Sequence, residues 1–165
     1  MDIMFSPWRS QYVQSASQAK NADTLCFLCE AAVGDDISTY VVHRSDLCFV
    51  ILNRYPYNSG HCMVVPYEHT GDITELSNEV MNDIGRTQQQ TIRVLREMYA
   101  PHGFNCGMNL GAIAGAGVPG HIHLHIVPRW NGDLNFMPVI ADVKVAIESL
   151  DDSYRKVRDA FQRIH

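Results

Sequence analysis

Three histidines that alternate with apolar residues form the pattern in this sequence with the clearest chemical meaning. They are His121, His123 and His125, separated by Ile122 and Leu124. In a β-strand alternate residues share one face and lie roughly 6.5 to 7 Å apart, so the three imidazoles would project together while the aliphatic side chains enter the core. A purely structural role is unfavourable, because each buried ring nitrogen needs a hydrogen-bond partner. The row therefore predicts metal binding, or nucleophilic and acid–base catalysis.

A glycine- and alanine-rich loop, residues 111–120, leads directly into the histidine row. Residues 115–120 match the pattern G-x-G-x-x-G, but a dinucleotide-binding site requires a helix after that pattern, and here Pro119 and a predicted strand follow. A P-loop is excluded because the sequence contains no Gly-Lys followed by Ser or Thr. We expect backbone N–H groups around Gly115 and Gly117 to form a nest for phosphate oxygens, with a plain surface hairpin as the alternative.

The pair Cys26-x-x-Cys29 has the spacing of half a structural zinc site. Taken alone the pair is a weak signal, and two reduced surface cysteines are the alternative interpretation. A thioredoxin-like redox site would need a βαβ context that the pattern does not predict. The other cysteines, Cys48, Cys62 and Cys106, lie in apolar stretches and are predicted to be small buried hydrophobic residues.

Length and composition predict one ordinary globular domain spanning residues 1–165, with 46% hydrophobic and 19% charged residues. A net charge of −5 argues against a broad nucleic-acid surface, although a local anion site remains possible. The sequence shows neither an apolar run long enough to span a bilayer nor a signal-peptide hydrophobic region, so we expect no membrane partner and a cytoplasmic location.

The elements that must position these residues follow from the hydrophobic periodicity. Apolar stretches predict two strands around a tight turn within residues 40–53, and further strands at 61–66, 104–110 and 121–128. A repeat of three, four or seven predicts a helix from Ser77, its N-cap, to Tyr99, and another within about residues 141–165. Strands followed by segregated helices predict an α+β fold.

Residues 121–127 match at every position the signature His-φ-His-φ-His-φ-φ, with φ apolar, so the sequence resembles the histidine-triad superfamily. The resemblance covers roughly residues 5–140 and includes the stretches 60–66 and 109–111. The run from Trp130 to Phe136 is similar to the bacterial branch that contains diadenosine tetraphosphate phosphorylases. The resemblance implies a histidine-triad-like antiparallel sheet with one long helix and a C-terminal helix, usually in a homodimer.

The resemblance also implies a role for individual residues. His123 would be the nucleophile that attacks a nucleotide α-phosphorus, and His125 would contact the phosphate and protonate the leaving oxygen. His61 would be the family's additional histidine, lying behind the triad. Asn53 and Asn109 would contact the nucleotide.

A structural zinc ion is the cofactor that the resemblance implies. Some histidine-triad branches bind it with two cysteines, a histidine and the first histidine of the triad. The matching positions here are Cys26, Cys29, His69 and His121. Such a closed site would hold the N-terminal segment, about residues 1–35, against the active-site strand.

The leading hypothesis is a nucleotidyl hydrolase or transferase that cleaves diadenosine polyphosphates and passes the nucleotide to water or inorganic phosphate. A nucleoside phosphoramidase would use the same nucleophile with a nitrogen leaving group. A nucleotide-binding module with little activity is the alternative from another functional class.

Overall fold

Residues 26–133 and 148–163 are described by the computed structural model. Within them a five-stranded antiparallel sheet has the order β1-β2-β3-β5-β4. The strands are β1 Val41–Arg44, β2 Cys48–Leu52, β3 Cys62–Pro66, β4 Gly103–Met108 and β5 Leu124–Arg129. The helices are α1 Phe27–Val33, α2 Asp36–Thr39, α3 Asn78–Tyr99 and α4 Leu150–Arg163, and two short 3-10 turns span Ile73–Glu75 and Ala112–Ala114. The predicted α+β class is confirmed.

The long helix α3 has the bounds that its sequence signals predict. The Ser77 hydroxyl accepts a hydrogen bond from the Val80 N–H, and the helix ends where Ala100 adopts a left-handed conformation before Pro101. Most of the predicted apolar stripe is buried, and Met98 is half-buried: Val80, Ile84, Thr91, Leu95, Met98. The stripe therefore fixes which side of α3 packs on the sheet.

The C-terminal helix is shorter in the described residues than the predicted range. α4 begins at Leu150 and buries Tyr154, Val157 and Phe161. Residues 141–147 and 164–165 of the predicted helix range, the end of the run at Leu134–Phe136 and residues 1–25 of the N-terminal segment lie outside the described residues. None of the helices within 26–133 and 148–163 is long and apolar enough to cross a membrane.

The histidine row enters the sheet later than predicted, because β5 begins at Leu124 and not at His121. The β3–β5 register pairs Val64 with Leu124 and would next bring Pro66 opposite Ile122. Pro66 has no N–H to donate to a ladder, and the Ile122 N–H bonds instead to the Thr70 carbonyl at 2.8 Å. The first two histidines therefore lie in an extended segment ahead of the strand.

The two faces of the sheet carry separate hydrophobic clusters. One face packs on α3 and α4 and includes Ile122, Leu124 and Ile126, as the alternation predicts. The other face packs on α1, and its Met63 pairs directly with His125 in the β3–β5 register. Directly paired residues point to the same side of a sheet, so His125 lies on the face opposite the long helices.

The prediction of buried cysteines holds for two of the three. Cys48 and Cys62 are buried, whereas Cys106 is exposed, so the prediction for Cys106 is wrong. The physical reason is its position on β4, an edge strand whose central residues are exposed.

Candidate active site and metal centre

His123 is held as a neutral imidazole with a defined tautomer. Its side chain is only 6% exposed, and its Nδ1 lies 2.8 Å from the His121 carbonyl oxygen. A carbonyl can only accept, so Nδ1 carries the proton and Nε2 carries the lone pair. Burial lowers the pKa of His123 and outweighs the opposing effect of this hydrogen bond. The ring therefore presents an unprotonated Nε2, as a nucleophile requires.

A second hydrogen-bonded chain fixes the tautomer of His125. The Tyr57 N–H donates to His61 Nδ1 at 3.0 Å, and His61 Nε2 lies 3.0 Å from His125 Nδ1. Because His61 accepts at Nδ1, its proton is on Nε2 and is donated to His125. His125 therefore carries its own proton on Nε2. We call the Tyr57–His61–His125 chain the histidine relay.

The structure brings His123 and His125 together as neighbours. Their ring centroids are 4.9 Å apart, with planes inclined at 78°. His61, 1% exposed, lies behind His125 at a centroid distance of 5.1 Å. A phosphate group bound at this pair would meet the Nε2 lone pair of His123 and the Nε2–H of His125.

The glycine loop follows β4 and is exposed over most of its length. Gly115 closes its 3-10 turn with φ +91°, a conformation that side chains other than glycine rarely adopt. The Asn109 side-chain amide donates to the Gly115 carbonyl at 3.3 Å, which joins a predicted nucleotide contact to the loop. The Gly115 N–H, however, donates to the Ala112 carbonyl. In this conformation that N–H group is used inside the loop, and the phosphate contact of Gly115 stays a prediction. Gly117 stays a predicted phosphate contact.

Asn53 lies just after β2 at the start of the loop that carries His61. Its side-chain oxygen accepts the Tyr55 N–H at 2.9 Å, and its own N–H donates to the His61 carbonyl at 2.9 Å. These bonds shape the loop. The nucleotide contact of Asn53 stays a prediction.

All four predicted metal ligands converge at one point. One ligand atom from each of Cys26, Cys29, His69 and His121 lies within 4.8 Å of all the others. The two histidine Nδ1 atoms are 3.2 Å apart, and three sulfur–nitrogen distances are 3.2, 3.4 and 3.5 Å. Bonds of about 2.3 Å to sulfur and about 2.05 Å to nitrogen in a tetrahedron place such atoms about 3.3 to 3.6 Å apart. These four distances are therefore close to those around a tetrahedral metal ion, and the remaining donor pairs lie within 4.8 Å.

His121 joins the metal centre to the candidate nucleophile. Its Nε2 lies 2.9 Å from the Pro66 carbonyl, so that nitrogen carries the proton and Nδ1 faces the cluster. Its own backbone carbonyl is the acceptor that fixes His123. One residue therefore supplies a ligand atom and orients the nucleophile.

Two contacts hold the segments that carry the remaining ligands. The Arg44 guanidinium donates to the carbonyls of Ala31, Ala32 and Gly34, and so anchors the C-terminal end of α1. Gly71 lies so close to Pro119, just before the histidine row, that a Cβ added to Gly71 would lie 2.4 Å from the Pro119 carbonyl oxygen. The segment with His69 is thereby fixed against the end of the glycine loop.

Comparison with known proteins identifies the family. A family model described as HIT domain matches residues 35–132, more than half of the chain. The chain belongs to the HIT family. A relative from Mycobacterium tuberculosis, named AP-4-A phosphorylase, is 35% identical over 164 residues, which cover 97% of this chain and 84% of that protein.

Two further matches have names that bear on the chemistry and on the metal. A protein of Schizosaccharomyces pombe named bis(5'-nucleosyl)-tetraphosphatase [asymmetrical] is 26% identical over 60% of this chain and 54% of its own length. The crystal structure of a Zn-bound histidine triad family protein from Mycobacterium smegmatis superposes with a TM-score of 0.69 at 29% identity, covering 85% of this chain and 95% of that one. The resemblance and the fold predicted from the sequence are confirmed.

Sequence reasoning did not find the residues that orient the catalytic histidines. Tyr57 acts through its backbone N–H and Pro66 through its carbonyl, and such groups leave no residue-type signal. Asn58 and Asp133 contact the same region by side chain, but each lies in a polar loop where Asn and Asp are common turn residues.

Proposed function

We propose that the chain is an enzyme that cleaves diadenosine polyphosphates through a nucleotidyl-histidine intermediate on His123. The observation that carries this proposal is the bond from His123 Nδ1 to the His121 carbonyl, because it leaves the Nε2 lone pair of a buried, neutral imidazole ready to attack. The substrate class is supported by the relative named AP-4-A phosphorylase.

The reaction takes place in two displacements at the α-phosphorus. In the first, His123 Nε2 forms a P–N bond while the P–O bond to the polyphosphate breaks, which releases ATP from diadenosine tetraphosphate. In the second, an oxygen of inorganic phosphate forms a new P–O bond as the P–N bond breaks, giving ADP and free His123. Water as the acceptor would give AMP. The similarity to a phosphorylase favours phosphate.

The histidine relay gives His125 the role of a hydrogen-bond donor. Its Nε2–H would stabilise the negative charge that develops on the departing oxygen. The relay begins at a backbone N–H, which cannot give up its proton. Passing the His61 proton along the relay would therefore leave His61 as an imidazolate anion, so full proton transfer to the leaving group is unfavourable. A polyphosphate leaves as a weakly basic anion and needs no proton, whereas an amine does, so the relay favours an oxygen leaving group.

We further propose that the ion at the four-ligand site is zinc. The two-cysteine, two-histidine donor set and its near-tetrahedral distances suit that ion, and a structurally similar relative is Zn-bound. With four protein ligands the coordination sphere is complete, so zinc would supply structural support. The second contact of His121, to the Pro66 carbonyl, is of the kind that orients a metal-binding histidine.

Product analysis of diadenosine tetraphosphate turnover tests the proposed reaction. We expect ADP and ATP in equal amounts when inorganic phosphate is present, because phosphate intercepts the nucleotidyl-histidine. Chromatographic quantification of nucleotides, with and without phosphate, measures this ratio. AMP and ATP regardless of phosphate would instead establish a hydrolase.

The same assay with an AMP–amine substrate separates the phosphoramidase alternative. We expect slower turnover of the amine than of diadenosine tetraphosphate, since the relay supplies no proton to the nitrogen. Preference for the amine would contradict the proposed leaving group. Binding of nucleotide without any turnover would indicate a binding module.

We also propose that the enzyme is a homodimer that pairs through β4. This strand is at one edge of the sheet, and Asn105, Cys106 and Gly107 are exposed. An exposed edge presents unpaired backbone groups, and antiparallel pairing with a second copy would satisfy them across a two-fold axis.

Replacing Cys106 by glutamate is expected to convert the dimer to a monomer, because like charges would meet near the two-fold axis. Light scattering on a size-exclusion column would show the mass falling from two chains to one. Cys106→Ser, which adds no charge, should stay dimeric. A wild-type monomer at about micromolar concentration would contradict the proposal.

A further inference from the structure

Asp133 is the centre of a polar network in the turn that follows β5. The Arg129 guanidinium forms a fork on its carboxylate, with Nε 2.6 Å and Nη2 2.9 Å from the two oxygens. The Trp130 N–H donates to the same carboxylate at 3.2 Å. These donors lower the pKa of Asp133, with the Arg129 hydrogen bond as the largest cause. The carboxylate is therefore a fixed, charged acceptor.

Asn58 connects this carboxylate to the loop that carries His61. Its side-chain amide donates to an Asp133 oxygen at 2.9 Å and to the Pro128 carbonyl at 3.0 Å. Its backbone carbonyl accepts the His61 N–H at 3.1 Å. Both amide hydrogens of Asn58 are therefore used to fasten the loop to the end of β5.

The residue next to Asn58 supplies the first bond of the histidine relay. Tyr57 donates its N–H to His61 Nδ1, so the proton of a neutral His61 is on Nε2. If the loop shifted, His61 could take the other tautomer and would then offer a lone pair to His125. His125 would place its proton on Nδ1 and lose the donor that faces the substrate.

We propose that Asn58 and Asp133 form a clamp that positions the histidine relay and so keeps His125 a donor at Nε2. Asn58 and Asp133 would act on the reaction only through His61, so both are positioning residues. The inference rests on the proposed function for its kinetic consequence. Its structural consequence, the tautomer of His125, can be measured without any substrate.

The isosteric replacement Asn58→Asp tests the clamp, because it keeps the shape but removes the two amide hydrogens and places a second carboxylate beside Asp133. We expect turnover of the phenyl ester of AMP to fall roughly 10- to 100-fold, since phenolate is a basic leaving group that needs the His125 donor. The dinitrophenyl ester, whose leaving group is weakly basic, should lose less than about threefold. The imidazole ¹⁵N shifts of His125 should change from the Nε2–H form to a mixture.

Asn58→Ala provides a second variant if the aspartate variant does not fold. Asp152→Asn, which breaks the exposed Arg155–Asp152 ion pair, is the matched control and should behave as wild type. Equal losses on both esters with an unchanged His125 tautomer would overturn the proposal, since a merely structural role gives that result. So would a variant with wild-type kinetics.

Failure of the proposed function gives a different result. In that case the wild-type enzyme turns over neither ester, or His123→Asn retains the activity. The ¹⁵N measurement then still decides the clamp, because it reports the tautomer of His125 in the absence of substrate.

Discussion

Replacing His123 by asparagine is expected to reduce turnover of diadenosine tetraphosphate by at least about a thousandfold. Asparagine keeps a side-chain N–H that can donate to the His121 carbonyl, which His123 Nδ1 contacts at 2.8 Å. It has no nitrogen lone pair where imidazole Nε2 lies. The substitution therefore removes the nucleophilic nitrogen while keeping the hydrogen bond to the His121 carbonyl.

Two measurements check this expectation. Initial rates give the loss of turnover, and quenching of the enzyme with labelled substrate in alkaline detergent, which preserves a P–N bond that acid would hydrolyse, shows whether a nucleotidyl-protein accumulates. The wild-type enzyme should carry label, and His123→Asn should carry none. His102→Asn is the matched control, because His102 is exposed and its Nδ1 accepts the Asn131 N–H at 2.9 Å, a bond that the asparagine oxygen can replace.

Activity of His123→Asn within about tenfold of wild type would place the nucleophile elsewhere. A slow His123→Asn variant that still carried label would also place the nucleophile elsewhere. Loss of activity together with loss of folded structure would be assigned to stability, so the unfolding midpoint of each variant is compared with wild type.

The fold could be predicted from the sequence because its signals are local. Ser77 and Pro101 define α3 over a single stretch, and the alternation around Leu124 and Ile126 defines the core side of β5. The start of β5 could not be predicted in the same way. It depends on Pro66, which is opposite the histidine row only once β3 and β5 are paired.

Part of the candidate site could be predicted from local sequence patterns, and part depends on contacts that only the fold creates. The histidine row and the pair Cys26–Cys29 are short-range patterns, and residue types alone indicate their chemistry. His69 was predicted only through the resemblance, since 40 residues separate it from Cys29 in the contact that the fold creates. The tautomers of the catalytic histidines depend on carbonyl and amide groups of the backbone. Such groups leave no residue-type signal in the sequence.

Removing the two cysteines of the metal centre is the second change with a large expected effect. We expect wild-type protein to hold about one zinc per chain, and the variant Cys26→Ser with Cys29→Ser to hold none, because serine is a poor zinc ligand. A ligand present at a thousandfold excess over its dissociation constant stabilises the native state by about 4 kcal/mol. The double variant should lose a free energy of unfolding of about this size.

Metal analysis of purified protein and chemical unfolding measure the two quantities directly. Cys106→Ser is the matched control, since Cys106 is exposed on β4 and outside the four-ligand cluster. Zinc retained by the double variant, or a metal-free wild type with unchanged stability, would contradict the assignment.

The metal centre should also affect catalysis, because His121 belongs to both sites. Loss of the ion frees the His121 ring to move, and its carbonyl is the group that fixes His123. If zinc only fastened α1, the double variant would retain wild-type kcat at temperatures where it is folded. We expect kcat to fall at those temperatures by roughly tenfold or more, since small misplacements of a reacting group have large effects on rate. A folded, zinc-free double variant with wild-type kcat would limit the ion to holding the segment that carries Cys26 and Cys29.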